Sequence, residues 1–295
     1  MHIPVLLKEV IENLNPKSGE NFIDATLDGG GHARVILEKN APDGKLLGID
    51  WDGKLVELFK NSLTENNLSR SVLVNDSYVN ISEIIERENF KNIAGILFDL
   101  GMSNWHIEES GRGFSFLRDE PIDMRFDPLA NSLTAREVVN GYSREDLIGI
   151  LKDYGEERFA IGIADGIMNA RKQKSINTTI ELVEIIKNAV PFWYRRGKRH
   201  FATKSFQAIR IEVNGEIENI KKSLVQAIKV LQSGGRLAVI TFHSLEDRTV
   251  KNLFKEAVKE GTIELVHKKP IVPTLIEITA NPKARSAKLR TIQKI

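Results

Sequence analysis

The sequence predicts an α/β protein, a doubly wound parallel sheet carrying a helical insertion. Three observations predict it. Short apolar runs recur through the first hundred residues, each followed by a stretch whose apolar positions have helical spacing. The alternation stops after Asp99 and no convincing strand returns before Arg236. The first apolar run also ends in a glycine cluster, Gly29-Gly30-Gly31. Continuous apolar strands separated by helices indicate a parallel sheet covered on both faces. Right-handed crossovers wind such a sheet both ways and leave ligands at the carboxyl ends of its strands.

The elements follow in order. Asn21 to Ala25 reads as a first strand, followed by glycines and a helix through Leu37. Lys45 to Asp50 is a second strand, and the helix after it places Leu55, Leu58 and Phe59 on one face. Val72 to Asp76 and Ile93 to Asp99 supply a third and a fourth. From about Ser110 to Thr203 the pattern is polar loop and helix. A long amphipathic helix from Ile217 to Leu231 stops at Ser233-Gly234-Gly235. Arg236 to Phe242 is a fifth strand, and the runs at Ile263–Val266 and Leu275–Thr279 are expected to close the fold as a hairpin. The expected division is one α/β domain from residues 1–109 and 204–295, with a mainly helical substrate-recognition insertion at 110–203.

Composition narrows the function classes. The 295 residues are 41% hydrophobic and 28% charged, the balance of a globular domain. A net charge of +2 excludes a polycation but permits a local basic face. The absence of cysteine excludes disulfides, cysteine-ligated zinc and thiol nucleophiles. The start lacks the pattern of a signal peptide and no apolar run is long enough to span a membrane, so a cytoplasmic enzyme is expected. His2, His32, His200 and His243 have neither i, i+4 spacing nor a paired carboxylate pattern, and no metal site is predicted.

The segment Asp24-Ala25-Thr26-Leu27-Asp28-Gly29-Gly30-Gly31-His32 carries the most chemistry. Glycines after a first strand let backbone approach a ligand, and Asp50 closes the second strand where an acid can bond both hydroxyls of a ribose. This fits a dinucleotide or S-adenosylmethionine. The methyl donor is favoured because Arg34 replaces the third glycine of G-x-G-x-x-G, because Asp24 can meet an amino group, and because Asn75-Asp76-Ser77-Tyr78 can read and stack on adenine. Asp99 ends the fourth strand, just before Ser103 and Asn104. Any of the three can accept the hydrogen bond that a weakly nucleophilic amine needs during transfer.

Many segments in order resemble the RsmH (MraW) family of 16S rRNA cytosine-N4 methyltransferases. They are His2-Ile3-Pro4-Val5-Leu6-Leu7-Lys8-Glu9-Val10, Arg112-Gly113-Phe114-Ser115-Phe116, Pro121-Ile122-Asp123-Met124-Arg125 and Gly155-Glu156-Glu157-Arg158. Phe206 to Ile211, Thr241 to Arg248 and Asn281 to Arg290 continue the likeness. It implies a Rossmann-like class I methyltransferase using S-adenosyl-L-methionine on 16S rRNA of the small ribosomal subunit. It also implies cofactor contacts at Gly30, Gly31, His32, Asp50, Tyr78, Asp99 and His106. The chain departs from the family pattern at Asp28, usually glycine, at Asn104, usually serine, at His106, usually glutamine, and at Phe201, usually proline.

Arg195, Arg196, Lys198 and Arg199 follow Phe192, Trp193 and Tyr194. Cations beside aromatics suit single-stranded RNA, although pattern alone favours a solvated loop. With the resemblance, these four are expected to bind RNA, as are Arg285, Lys288 and Arg290 in the tail. Phe114 and Phe116 are candidates to pack against a turned-out base. A nicotinamide-dependent oxidoreductase and a non-enzymatic ribosome-assembly factor are the rival classes. The missing third glycine weighs against the first, and the retained Asp50, Asp99 and Phe114 segment against the second. The oligomeric state is open, a homodimer included.

Overall fold

The computed structural model describes residues 4–295; His2 and Ile3, which open the family-like first segment, lie outside them. The chain forms two compact units, one running up to Gly101 and resuming at Ile217–Ile295, the other Met102–Glu216.

The first unit holds a seven-stranded sheet. In chain order the strands are β1 (Asn21–Asp24), β2 (Leu46–Asp50), β3 (Ser71–Asn75), β4 (Ile93–Asp99), β5 (Arg236–Thr241), β6 (Ile263–Leu265) and β7 (Lys288–Lys294). Their spatial order is β3-β2-β1-β4-β5-β7-β6. β1 to β5 are parallel, while β7 runs antiparallel to both β5 and β6. The order reverses between β1 and β4, the switch point at which doubly wound sheets leave a crevice. Every residue of β2 is buried, as expected of a strand covered on both faces. Phe22, Leu37, Leu46, Phe59, Leu97 and Ile240 share one core cluster.

Two sequence expectations need correction here. Leu275–Ala280 is a helix, not the second arm of a hairpin. Thr274 caps it, accepting a hydrogen bond from Glu277 N at 3.2 Å, so a T-x-x-E start outweighs the short apolar run. The strand that pairs with β6 is β7, whose Leu289, Thr291 and Ile292 are buried. Leu58 also leaves the expected face: Leu55 and Phe59 are buried, whereas Leu58 is 47% exposed.

The second unit is helical. Its longer helices are Arg144–Asp153, Ala160–Gln173, Thr179–Ala189 and Thr203–Asn214. Thr134 with Glu137 and Thr178 with Glu181 form reciprocal capping boxes that start two of the helices. The buried pair Arg210–Glu216 makes two hydrogen bonds of 2.8 and 2.9 Å. Asn214 clamps the preceding long loop through Phe126 N at 2.9 Å and Met124 O at 2.8 Å. Among the described residues no helix is long and apolar enough to cross a membrane.

Candidate active site

The site in the first unit is built on the carboxyl ends of β1, β2 and β4. After β1 the backbone turns through Asp28 at φ 47° and Gly30 at φ 70° into the helix Gly31–Lys39. An aspartate thus holds the left-handed position that the resemblance assigns to glycine, a conformation Asp tolerates better than most residues. Gly30 and Gly31 are fixed by packing. A Cβ on Gly30 would stand 1.9 Å from the Phe59 ring, and one on Gly31 would stand 2.5 Å from Pro4 Cγ. The glycines let the turn lie flat on protein, which leaves its other side for a ligand.

Three strand-end acids and Asp28 converge on this turn. Asp50 is buried, and its two carboxylate oxygens accept hydrogen bonds from Asp28 N and Asp52 N, both at 2.8 Å. Burial nevertheless raises its pKa to about 7, outweighing those bonds. Burial likewise holds Asp24 well above the ordinary range, with Asp99 and Asp50 adding repulsion. Asp99 is raised to about 8, by burial first and then by the charge of Glu246. Its N–H donates to Thr26 Oγ1 at 2.6 Å, while its Oδ1 has no hydrogen-bond partner. Its Oδ2 lies 3.8 Å from His32 Nδ1, in ion-pair range but too far for a hydrogen bond. His32 Nε2 sits 3.0 Å from Val5 O and donates to it, which turns Nδ1 towards Asp99. None of the four acids is paired with a lysine or arginine of the described residues. Such a cluster favours a ligand that brings positive charge.

An aromatic corner adjoins the acids. Tyr78 meets Phe98 edge-on at 5.7 Å and Trp51 at 6.4 Å. Sequence reasoning missed Trp51, whose only signal is its place directly after the strand-end Asp50. It also read Asn75 and Asp76 as adenine readers, whereas both are engaged in the fold. Asn75 Nδ2 donates to Asp50 O at 3.1 Å and Trp51 O at 3.0 Å. Asp76 Oδ1 accepts from Ser77 N and Asn80 Nδ2, both at 2.8 Å.

Ser103, Asn104 and His106 belong to the helical unit. Ser103 caps the short helix Asn104–Glu108, accepting from His106 N at 3.3 Å, while His106 Nδ1 accepts from Ser103 N at 3.3 Å. Both residues are buried, and the imidazole lies among Trp105, Phe114 and Phe126 at 5.5, 5.1 and 5.0 Å. Phe114 stacks on Phe126 at 5.5 Å and belongs to the core of its unit, whereas Phe116 stacks on His200 at 4.5 Å.

The basic candidates divide by what already holds them. Arg195 donates to Val190 O at 3.2 and 3.1 Å, and the Arg196 guanidinium lies 4.4 Å above the Phe192 ring. Lys198 and Arg199 are exposed, as is Arg285 on the short helix Pro282–Ser286. Lys288 and Arg290 stand on β7 and bond Asp247 at 2.9 and 2.7 Å. Burial works against the Asp247 carboxylate, yet those bonds keep its pKa below the ordinary value. The tail strand therefore spends two of its predicted phosphate contacts inside the fold.

Comparison with known proteins agrees with this architecture. The chain is 47% identical over 294 residues to ribosomal RNA small subunit methyltransferase H of Persephonella marina, covering all of this chain and 99% of that one. It is 46% identical over 295 residues to the protein of the same name from Thermosipho africanus, covering all of this chain and 98% of that one. A crystallised candidate rRNA-methylase from Clostridium thermocellum shares the fold, with a TM-score of 0.50 and 14% identity over the whole of both chains. The MraW methylase family matches residues 1–295 from end to end, and the chain belongs to that family.

Proposed function

We infer that the protein is an S-adenosylmethionine-dependent methyltransferase acting on the exocyclic N4 amine of a cytidine in 16S rRNA of the small ribosomal subunit. The observation that carries the reading is the set of acids at the switch point, Asp24, Asp28, Asp50 and Asp99, which have no lysine or arginine partner among the described residues. When bound, the donor supplies a methyl group on a positively charged sulfur together with a ribose, an adenine and an amino-acid tail. The residues present suit each part. Asp50 keeps a second lone pair on each oxygen for the ribose hydroxyls. Tyr78 and Trp51 offer apolar surface to the adenine, and Gly30, Gly31 and His32 form the turn against which the tail rests.

Asp99 has the most demanding role. Its free Oδ1 can accept the N–H of the amine and so hold the nitrogen lone pair towards the methyl group. The N–C bond forms as the C–S bond breaks, and the amine then sheds one proton. A carboxyl poised near 8 ionises more readily beside a positive ligand and can take that proton. Ser103, whose hydroxyl caps a helix and contacts His106 Nδ1 at 3.0 Å, is read as a residue that positions that helix. Asn104, at the start of that helix, is the alternative acceptor. Arg196, Lys198, Arg199 and Arg285 are the cations available for phosphates. A ribosomal substrate implies the cytoplasm.

The test is methyl transfer from labelled donor to small subunits from cells lacking the enzyme, with nucleoside analysis of the product. Label on N4-methylcytidine is expected. Label on another base, or none, overturns the reading.

A further inference from the structure

Phe192 and Trp193 are the odd pair of the helical unit. They are 63% and 59% exposed, on the turn Phe192–Arg195. Water contact on large rings is costly, and a fold with buried positions to spare does not usually display two in succession. The turn is nonetheless firmly held from below. Tyr194 Oη donates to Glu157 Oε2 at 2.9 Å, Glu157 is buried, and Arg195 is tied to Val190 O. Inward residues thus anchor the turn while Phe192 and Trp193 project.

Each projecting ring carries an arginine. The Arg196 guanidinium lies 4.4 Å from the Phe192 centroid, and Arg158 lies 5.6 Å from Trp193. Phe159 meets Trp193 edge-on at 5.7 Å and steadies it. Arg158, Arg196, Lys198 and Arg199 are all exposed, and the stretch from Val190 to Thr203 contains no acid. Flat rings in line with unneutralised cations match unpaired nucleotides, whose bases stack while their phosphates attract charge.

We propose that Phe192 and Trp193 form a stacking platform for unpaired bases of the RNA substrate, flanked by phosphate contacts from Arg158, Arg196, Lys198 and Arg199. The proposal rests on the reading of the protein as an RNA methyltransferase and goes beyond it by locating a base-binding surface remote in sequence from the methyl-donor acids.

The test is fluorescence anisotropy with a labelled oligoadenylate of about twelve nucleotides, within the usual reach of stacking surfaces. Phe192→Ala and Trp193→Ala should each weaken binding roughly 5- to 100-fold, the range for losing one stacked base. The slope of affinity against salt should stay unchanged, because stacking releases no counterions. Trp193→Phe should retain most of the affinity and lose the RNA-induced quenching of tryptophan fluorescence. Circular dichroism and melting temperature establish that the variants fold. Wild-type affinity in both alanine variants overturns the platform. So does a change from dimer to monomer without loss of RNA affinity, which would make this face a contact between copies. Methylation of small subunits by the wild type, run in parallel, separates the two readings. A wild type that binds the oligonucleotide through these rings yet methylates nothing overturns the proposed reaction and leaves the platform. Normal methylation with an unchanged KM in the double variant overturns the platform alone.

Discussion

A carboxyl group that keeps its proton near neutral pH makes folding sensitive to alkali. Asp50 and Asp99 rise from an ordinary 3.8 to about 7 and about 8 in the folded protein. Folded values above the unfolded one mean that their full contribution to stability is present below pH 3.8 and is lost as pH climbs through 7 and 8. The free protein should therefore lose stability as pH rises from about 4 to about 8, with Asp99 accounting for on the order of 1–3 kcal/mol of the part lost above pH 6, at ~1.4 kcal/mol per unit. Urea melts of Asp99→Asn should show a flatter decline and a higher midpoint at pH 9. Superimposable profiles for the two proteins would refute the assignment. A positive ligand reverses the preference, so donor binding at pH 7.5 should release protons, detected as a calorimetric enthalpy that varies with the buffer. At donor concentrations ~100-fold above Kd the wild type should gain about 2.7 kcal/mol. Asp50→Asn should lose most of that gain, and an undiminished melting shift would remove Asp50 from the ribose. These acids were legible in the sequence because each ends an apolar run. Trp51 was not, because one aromatic beside a turn reads as core.

The helix Asn104–Glu108 explains one departure from the family pattern. A capping box needs an acceptor three residues after its Ser or Thr, usually Glu or Gln. His106 meets the requirement with Nδ1, so an imidazole performs the backbone task that glutamine suits. His106→Gln should keep stability within about 0.5 kcal/mol of the wild type, while His106→Ala should lose about 1 kcal/mol or more through the cap. Equal losses in both variants would mean that the ring's packing against Phe114 and Phe126 matters more than the cap. The cations make a second comparison between elements. Replacing Arg196, Lys198 and Arg199 with Ala should change the salt slope of RNA binding by roughly 0.7–0.9 for each lost contact. Lys288→Ala with Arg290→Ala should leave the slope alone and lower the melting temperature, because both bond Asp247. A changed slope in that pair would return the tail strand to the RNA surface. Residue types alone could not distinguish the two groups, since what differs is the acid on a neighbouring helix.

At the scale of the molecule, the parallel half of the sheet was readable from order alone. Ile23, Leu47 and Ile96 sit in register across β1, β2 and β4, each within a run of uninterrupted apolar character. The antiparallel end was not readable. In β7 only Leu289 and Ile292 are apolar among five polar residues, so its composition resembles a solvated basic tail even though Leu289, Thr291 and Ile292 are buried. The topology also has a consequence for how the chain is made. β7 is the last strand in chain order yet lies between β5 and β6, joined to β5 from Arg236–Gln293 to Thr241–Lys288. Until residues 288–294 leave the translating ribosome, β5 presents an open hydrogen-bonding edge and β6 has no neighbour in the sheet. Between the completion of β6 and the arrival of β7 the domain is one strand short, with an apolar edge of the kind that invites pairing with another nascent chain. A released chain truncated just before Lys288 should therefore aggregate, measured by sedimentation, whereas the chain that includes Lys288–Lys294 should stay monodisperse with a closed sheet.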